Sequence, residues 1–393
     1  MKKIQAPIKS LVEAMEVFDV VMTRYPERDG VEPFLSALAG RRRRYSGLTL
    51  MHLVSPDDTV PCNDDLVLPE VATPQTPEGN LARDIIAMLE PLKLLNPVCP
   101  CFATGQGSES MTPSFGIPLN HEMGDTPAFH KSLDQVLSEP PPDPATSGLL
   151  PNVHERIDFI KANVGSRFKI GFPGLQGPFN IAHAVLGPEV FTAPYDDETR
   201  FHALMERITT FWIGVRRTLI GWIGEEYMPP APYAWKPGIT ECSVNLVSAD
   251  FYRRFVLPHD LRIVEAFGPV HIHPCSGPHV FHVTLENLPA VATEAGYIAR
   301  TTAGAISVDD ALKAIGKRPI MLAIGQELPE GGEYEFIRRD LDRYAVHRRL
   351  TFSYTGMHWR RKDRPCMRDI HRRLDEYWAG KFPPGNCDKK EIS

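Results

Sequence analysis

From about residue 90 onward the chain alternates short apolar runs with longer stretches of helical period. That alternation limits the fold more than any other feature, because it is the pattern of strands crossing over through helices. Strands are expected over 98–104, 168–171, 232–240, 270–274, 297–301, 320–324 and 350–354, with an earlier one in 47–54. The stretch 197–222 carries Phe201, Leu204, Ile208, Phe211, Trp212, Val215 and Leu219 close to a 3.6-residue period. Phe211, Trp212 and Trp222 are expected in the core. A second helix is expected over 249–266 after Ser248, and a third over 307–316, opened by Ser307 and closed by Gly316. A charged-faced helix is expected over 332–347, and His279 and His282 fall where another begins. The first 40 residues read as helical over 12–23 and 31–39.

Eight strands alternating with helices define an α/β protein, most simply a (β/α)8 TIM barrel over residues 45–380. An N-terminal helical extension of residues 1–44 and a tail of residues 381–393 complete the expected organisation. A doubly wound sheet is the alternative. No Gly-x-Gly-x-x-Gly follows the first strands, which weakens a dinucleotide-binding version. The 393 residues, 42% of them hydrophobic, suffice for a large core, and a net charge of -6 argues against nucleic acid as a partner. No apolar run reaches the roughly 18 residues of a membrane span. The first residues lack the apolar stretch of a secretory signal, so the cytoplasm is the expected location. Seven cysteines, an odd number without framework spacing, are expected as free thiols. The sequence does not define the oligomeric state.

A barrel gathers its chemistry at the C-terminal ends of its strands. Those ends carry Gln176, then Glu241 and Cys242, then His273 and Cys275, Thr301 and Thr302, Gln326 and Glu327, and the run Tyr354 to His358. Within Pro269-Val-His-Ile-His-Pro-Cys-Ser-Gly277, the period of a strand puts His271, His273 and Cys275 on one face. Two imidazoles and a thiol are the mixed N and S donors that zinc accepts. His273 and Cys275 are therefore candidate metal ligands. Glu241 and Tyr354 are candidate catalytic residues. Gln176, Trp235 and Gln326 are candidates for contact with a small-molecule substrate. Cys99 and Cys101 share a strand face, and a packed strand and a ligand pair remain open for them. Arg41-Arg-Arg-Arg44 reads as a solvated helix end.

Three segments carry a resemblance to the uroporphyrinogen decarboxylase superfamily. They are Gly174-Leu-Gln-Gly-Pro-Phe-Asn-Ile-Ala-His-Ala-Val-Leu-Gly187 with Thr199-Arg-Phe-His-Ala-Leu204, then Ser248-Ala-Asp-Phe-Tyr-Arg-Arg-Phe-Val-Leu-Pro258, then His271-Ile-His-Pro-Cys-Ser-Gly277. The resemblance covers roughly residues 90–380 and implies a (β/α)8 barrel. The Arg-rich motif with which the decarboxylase holds porphyrinogen carboxylates is not found. His273-x-Cys275 instead resembles the methylcobalamin:coenzyme M methyltransferase branch, where His, Cys and a later Cys bind zinc and activate an acceptor thiol. Near the end of the last strand, where the later Cys is expected, the chain has Ser353-Tyr-Thr-Gly-Met-His358, so His358 is the candidate metal ligand in its place, with Glu241 and Cys242 as other candidates and Cys366 further along. The resemblance thus implies a corrinoid-dependent methyltransferase using zinc. The methyl donor would be a corrinoid on a separate partner protein, since the chain lacks an Asp-x-His-x-x-Gly corrinoid motif. A tetrapyrrole side-chain decarboxylase and a non-catalytic corrinoid- or tetrapyrrole-binding protein remain open.

Overall fold

The structure is a computed structural model. It describes residues 7–24, 68–89, 92, 100–104, 108–120, 122, 126–229, 238–273, 278–295, 306–318, 320–327, 332–344, 350–355, 373–374 and 376–377. The chain forms two compact units, one of Met1–Pro100 with Gly325–Ser393 and one of Cys101–Ile324.

In the first unit, α1 (Leu11–Met22) packs on α2 (Pro77–Ala87). Ser10 caps α1 by accepting from the Glu13 N–H, and the Glu13 carboxylate accepts from the Lys9 N–H at 2.7 Å. The buried face of α1 is Ala14, Phe18, Val21 and Met22, the spacing of one helical stripe. Thr76 caps α2, which buries Leu81, Ala82, Ile85 and Ile86. The expected helix over 31–39 and strand in 47–54 lie outside the described residues.

The second unit is a run of short parallel strands joined by helices. In chain order they are β1 (Cys101–Phe102), a small antiparallel pair β2 (Leu119–Asn120) and β3 (Thr126–Pro127), then β4 (Lys169–Ile170), β5 (Gly238–Thr240), β6 (Val270–His273), β7 (Ala290–Ala295) and β8 (Met321–Glu327), which starts in this unit. β1 pairs with β4 through Cys101↔Lys169, and Gln176, after β4, bridges Thr240 of β5. β5 pairs with β6, β6 with β7 and β7 with β8, all in parallel. Among these parallel strands, with the β2–β3 pair set apart, neighbour order therefore follows chain order. A doubly wound sheet reverses its order at a switch point, whereas a barrel does not. The described strands do not close into a ring.

Helical crossovers fill the gaps between the strands. α3 (Leu133–Ser138) and α4 (Leu150–Asn163) lead to β4, α5 (Pro178–Leu186) and α6 (Glu198–Ile223) to β5, α7 (Leu257–Phe267) to β6, α8 (Pro278–Asn287) to β7, and α9 (Val308–Ile315) to β8. Every apolar residue expected on the α6 stripe is buried, with Phe201, Leu204, Ile208, Trp212, Val215 and Leu219 fully enclosed. Each such side chain contributes roughly 1.5–3 kcal/mol. Trp222 is a correction: it is only partly buried, and its ring stacks on His154 at 4.1 Å near the helix end. The helix α9 begins and ends as its caps dictate, at Ser307 and at Gly316 with φ 58°.

The expected helix over 249–266 is present but interrupted. A π turn over Tyr252–Val256 precedes Pro258, whose ring carries no N–H to donate. At about 100° per residue, Tyr252 and Asp260 would stand about 80° apart on a straight helix. The wide turn absorbs about one extra residue and brings them onto one face. The strand after β6 lies at Ala290–Ala295, while the expected 297–301 lies outside the described residues. Its sequence Ala-Val-Ala-Thr-Glu-Ala lacks the β-branched and aromatic run by which strands are recognised. In the first unit, α10 (Glu333–Tyr344) and β9 (Leu350–Thr355) match the expected last helix and strand. Among the described residues no helix is long and apolar enough to cross a membrane.

Candidate functional site at the strand ends

The face alternation of β6 is direct. Val270 and Ile272 are buried, at 0% and 1% exposure, while His271 and His273 share the half-exposed opposite face. His273 lies in register with Thr240, and its carbonyl accepts from the Glu241 N–H at 3.0 Å. The Gly177 N–H donates to the Thr240 carbonyl at 2.7 Å, beside the Gln176 bridge. The Gln176 carbonyl in turn accepts from the Trp212 indole N–H at 2.9 Å. Gln176, Glu241 and His273, each from a different βα unit, are thus brought together.

Glu241 is turned into the protein. Its Oε1 accepts from the Phe179 N–H at 2.9 Å and its Oε2 from the Asn180 N–H at 3.0 Å. These are first-turn donors of α5, where the helix field favours a negative charge. Burial pushes the Glu241 carboxyl well above the usual carboxylate range, Asp260 and Cys242 push it the same way, and the two N–H donors oppose them. The Asn180 side-chain oxygen accepts from the Ser243 N–H at 2.8 Å, and the Ser243 hydroxyl lies 2.8 Å from His183 Nδ1. Burial, then His130, lowers the His183 pKa.

Behind Glu241 lies a set of buried polar groups that spacing did not disclose. Tyr252 donates to Asp260 Oδ2 at 2.8 Å, and His202 Nδ1 stands 3.0 Å from His259 Nε2. Burial pushes Asp260 up to about 7 against the pull of the Tyr252 hydrogen bond. Burial, then His202 and Arg262, pushes His259 down to about 4. Burial raises the Tyr252 phenol, with Asp260 next in effect. The sequence signal for this cluster was Pro258, which marks a helix that must deviate where Tyr252 and Asp260 meet. Further along α6, Arg216 lays its guanidinium over the Phe172 ring at 3.4 Å, and burial lowers its pKa to about 10.

Gln326 and Tyr354 lie near the C-terminal ends of β8 and β9. Cys275, His358, Trp235 and Cys99 lie outside the described residues. Cys101 and Cys242 are half-buried and not joined in a disulfide. Among the described residues no group of three or more His, Cys, Asp or Glu is gathered to hold a metal ion.

Comparison of the sequence with family models and with curated proteins finds no match. Among solved structures the chain is similar to a methyltransferase from Methanosarcina mazei, with a TM-score of 0.57 and 16% identity. The likeness covers 88% of this chain and 98% of that one. At that identity the two share a fold, and the likeness extends over nearly the whole of both chains.

Proposed function

We propose that the chain is a corrinoid-dependent methyltransferase that passes a methyl group to a zinc-activated thiol or similar small acceptor. The observation that carries this reading is His273, half-exposed at the end of β6 beside the locked end of β5, with Cys275 two residues further along the chain. The fold shared with a methyltransferase supports it, as does a strand order that follows the chain. We read that order as part of a closed (β/α)8 barrel over residues 45–380.

An imidazole and a thiolate are a donor set that suits zinc. His273, Cys275 and His358 would hold it, and the bound ion would supply deprotonation of the acceptor thiol at neutral pH. Gln176 and Gln326 would orient the acceptor, and Trp235 and Tyr354 would shape the space around it. The acceptor sulfur's lone pair would form the new S–C bond as the methyl group's bond to the corrinoid breaks, its electron pair staying with the corrinoid, and the thiol proton would pass to solvent. Alignment of donor and acceptor supplies much of the rate. The methyl-bearing corrinoid would arrive on a partner protein.

Two measurements test this. Elemental analysis should find zinc in the wild type and its loss in Cys275→Ala; equal zinc in both, or in neither, rejects the metal site. Methylcobalamin absorbance, followed with a panel of small thiols, should change with the wild type and slow by orders of magnitude in His273→Ala. Unchanged turnover in that variant rejects the zinc-thiolate mechanism. Loss of carboxylates from a porphyrinogen, with no thiol methylated, would move the assignment to the decarboxylase reading.

A further inference from the structure

The end of β5 is tied down more firmly than strand pairing requires. Gly177, the N-cap of α5, has φ -69° and ψ 165°, ordinary extended backbone open to any residue. Its lack of a side chain therefore does not serve conformational freedom. A Cβ there would stand 2.3 Å from Glu241 Oε1, 2.4 Å from its carboxyl carbon and 2.7 Å from its Cγ. The space that an alanine would fill is filled by the Glu241 side chain. That side chain spends both oxygens on the N–H groups of Phe179 and Asn180, and the residue is 2% exposed. The main chain of the same residue donates to the His273 carbonyl.

We propose that Glu241 is a positioning residue for His273. Its carboxylate holds the first turn of α5 while its own N–H holds the end of β6, so three successive βα units are fixed to one another at the point where His273 projects. Gly177 is the second half of the device, since it admits the carboxylate. The role deepens the zinc reading above and rests on it only in treating His273 as a ligand.

Two variants of the full chain act on the device from opposite sides. Gly177→Ala leaves every hydrogen-bonding group in place but takes the room of the carboxylate. Glu241→Gln keeps the shape but turns an amide N–H against one of two N–H donors. Glu241→Asp keeps the carboxyl group and shortens the reach by one carbon, as a milder third variant. The ring nitrogen shifts of His273 are read by NMR in metal-free protein at fixed pH. The chain has 14 histidines, so the His273 signal is identified by its loss in His273→Gln. Zinc affinity is read by chelator competition.

The expected result is a moved His273 signal in each folded variant. Zinc affinity should be about 10- to 100-fold weaker, the usual effect of losing a group that orients a ligand, with zinc stoichiometry kept. A folded variant, by circular dichroism, with an unmoved His273 signal and unchanged affinity overturns the proposal. If the wild type binds no zinc, the zinc reading fails, and the histidine spectrum alone decides whether Glu241 positions His273.

Discussion

Asp260 and His259 are neighbours in sequence whose proton affinities are moved in opposite directions. Asp260 goes from 3.8 to about 7, so the folded protein keeps a proton that the unfolded chain gives up. The stability linked to it is fully present below about pH 4 and is lost as pH rises through about 7. His259 goes from 6.5 to about 4, so the unfolded chain binds the extra proton and stability rises with pH between those values. The two slopes oppose one another up to about pH 6.5, above which the raised Asp260 and Glu241 carboxyls both lose stability as pH rises. Urea unfolding at a series of pH values should show wild-type stability falling by an amount of order 1 kcal/mol between about pH 6.5 and 8, and Asp260→Asn should flatten that fall. An equal fall in the variant would mean that Asp260 is not the group responsible. At this scale the sequence was legible where one rule acts alone. The two-residue period of β6 put His271 and His273 on a shared face. The Tyr252–Asp260 bond was not legible, because eight residues match no helical period until a π turn intervenes.

Among the elements, α6 does the most to join core to site. Its capping Asp197 accepts from the Arg200 N–H at 3.0 Å, and Asp197→Ala should cost about 1 kcal/mol in chemical denaturation. Trp212 is the more telling position, since it is fully buried and also donates to the Gln176 carbonyl. Trp212→Phe keeps an aromatic ring there but removes the indole donor to that carbonyl, and should destabilise by about 0.5–1.5 kcal/mol. Trp212→Ala should cost about 3–5 kcal/mol. A phenylalanine variant as stable as wild type would show that the indole N–H contributes nothing. The α6 helix was legible because its stripe runs for 26 residues. The strands were less so: β1 and β4 pair over two residues each, too few for a period to register. β7 was hidden by its alanines, since small side chains resemble a helix as much as a strand.

On the scale of the whole molecule, a ligand bound only by the folded chain must raise its stability. Zinc at about 100 times its dissociation constant should add about 2.7 kcal/mol, seen as a rise in Tm of a few degrees that a chelator removes. No change in Tm on adding zinc to chelator-treated protein would count against the site, independently of any activity. The ordering of β1 and β4 to β8 along the chain was legible from strand and helix alternation. The division into two units was not, because one unit is assembled from both ends of the chain and leaves no linker-like stretch to mark it.

That division has a consequence for how the protein is made. The unit Cys101–Ile324 is continuous, so all of it is synthesised before the second part of the other unit begins. The other unit needs Gly325–Ser393 to complete Met1–Pro100, so its first part waits while the intervening 224 residues are synthesised. At roughly 5–20 residues per second that wait lasts about 10–45 s. Over that interval α1 and α2 can pack on each other while the rest of their unit awaits Gly325–Ser393.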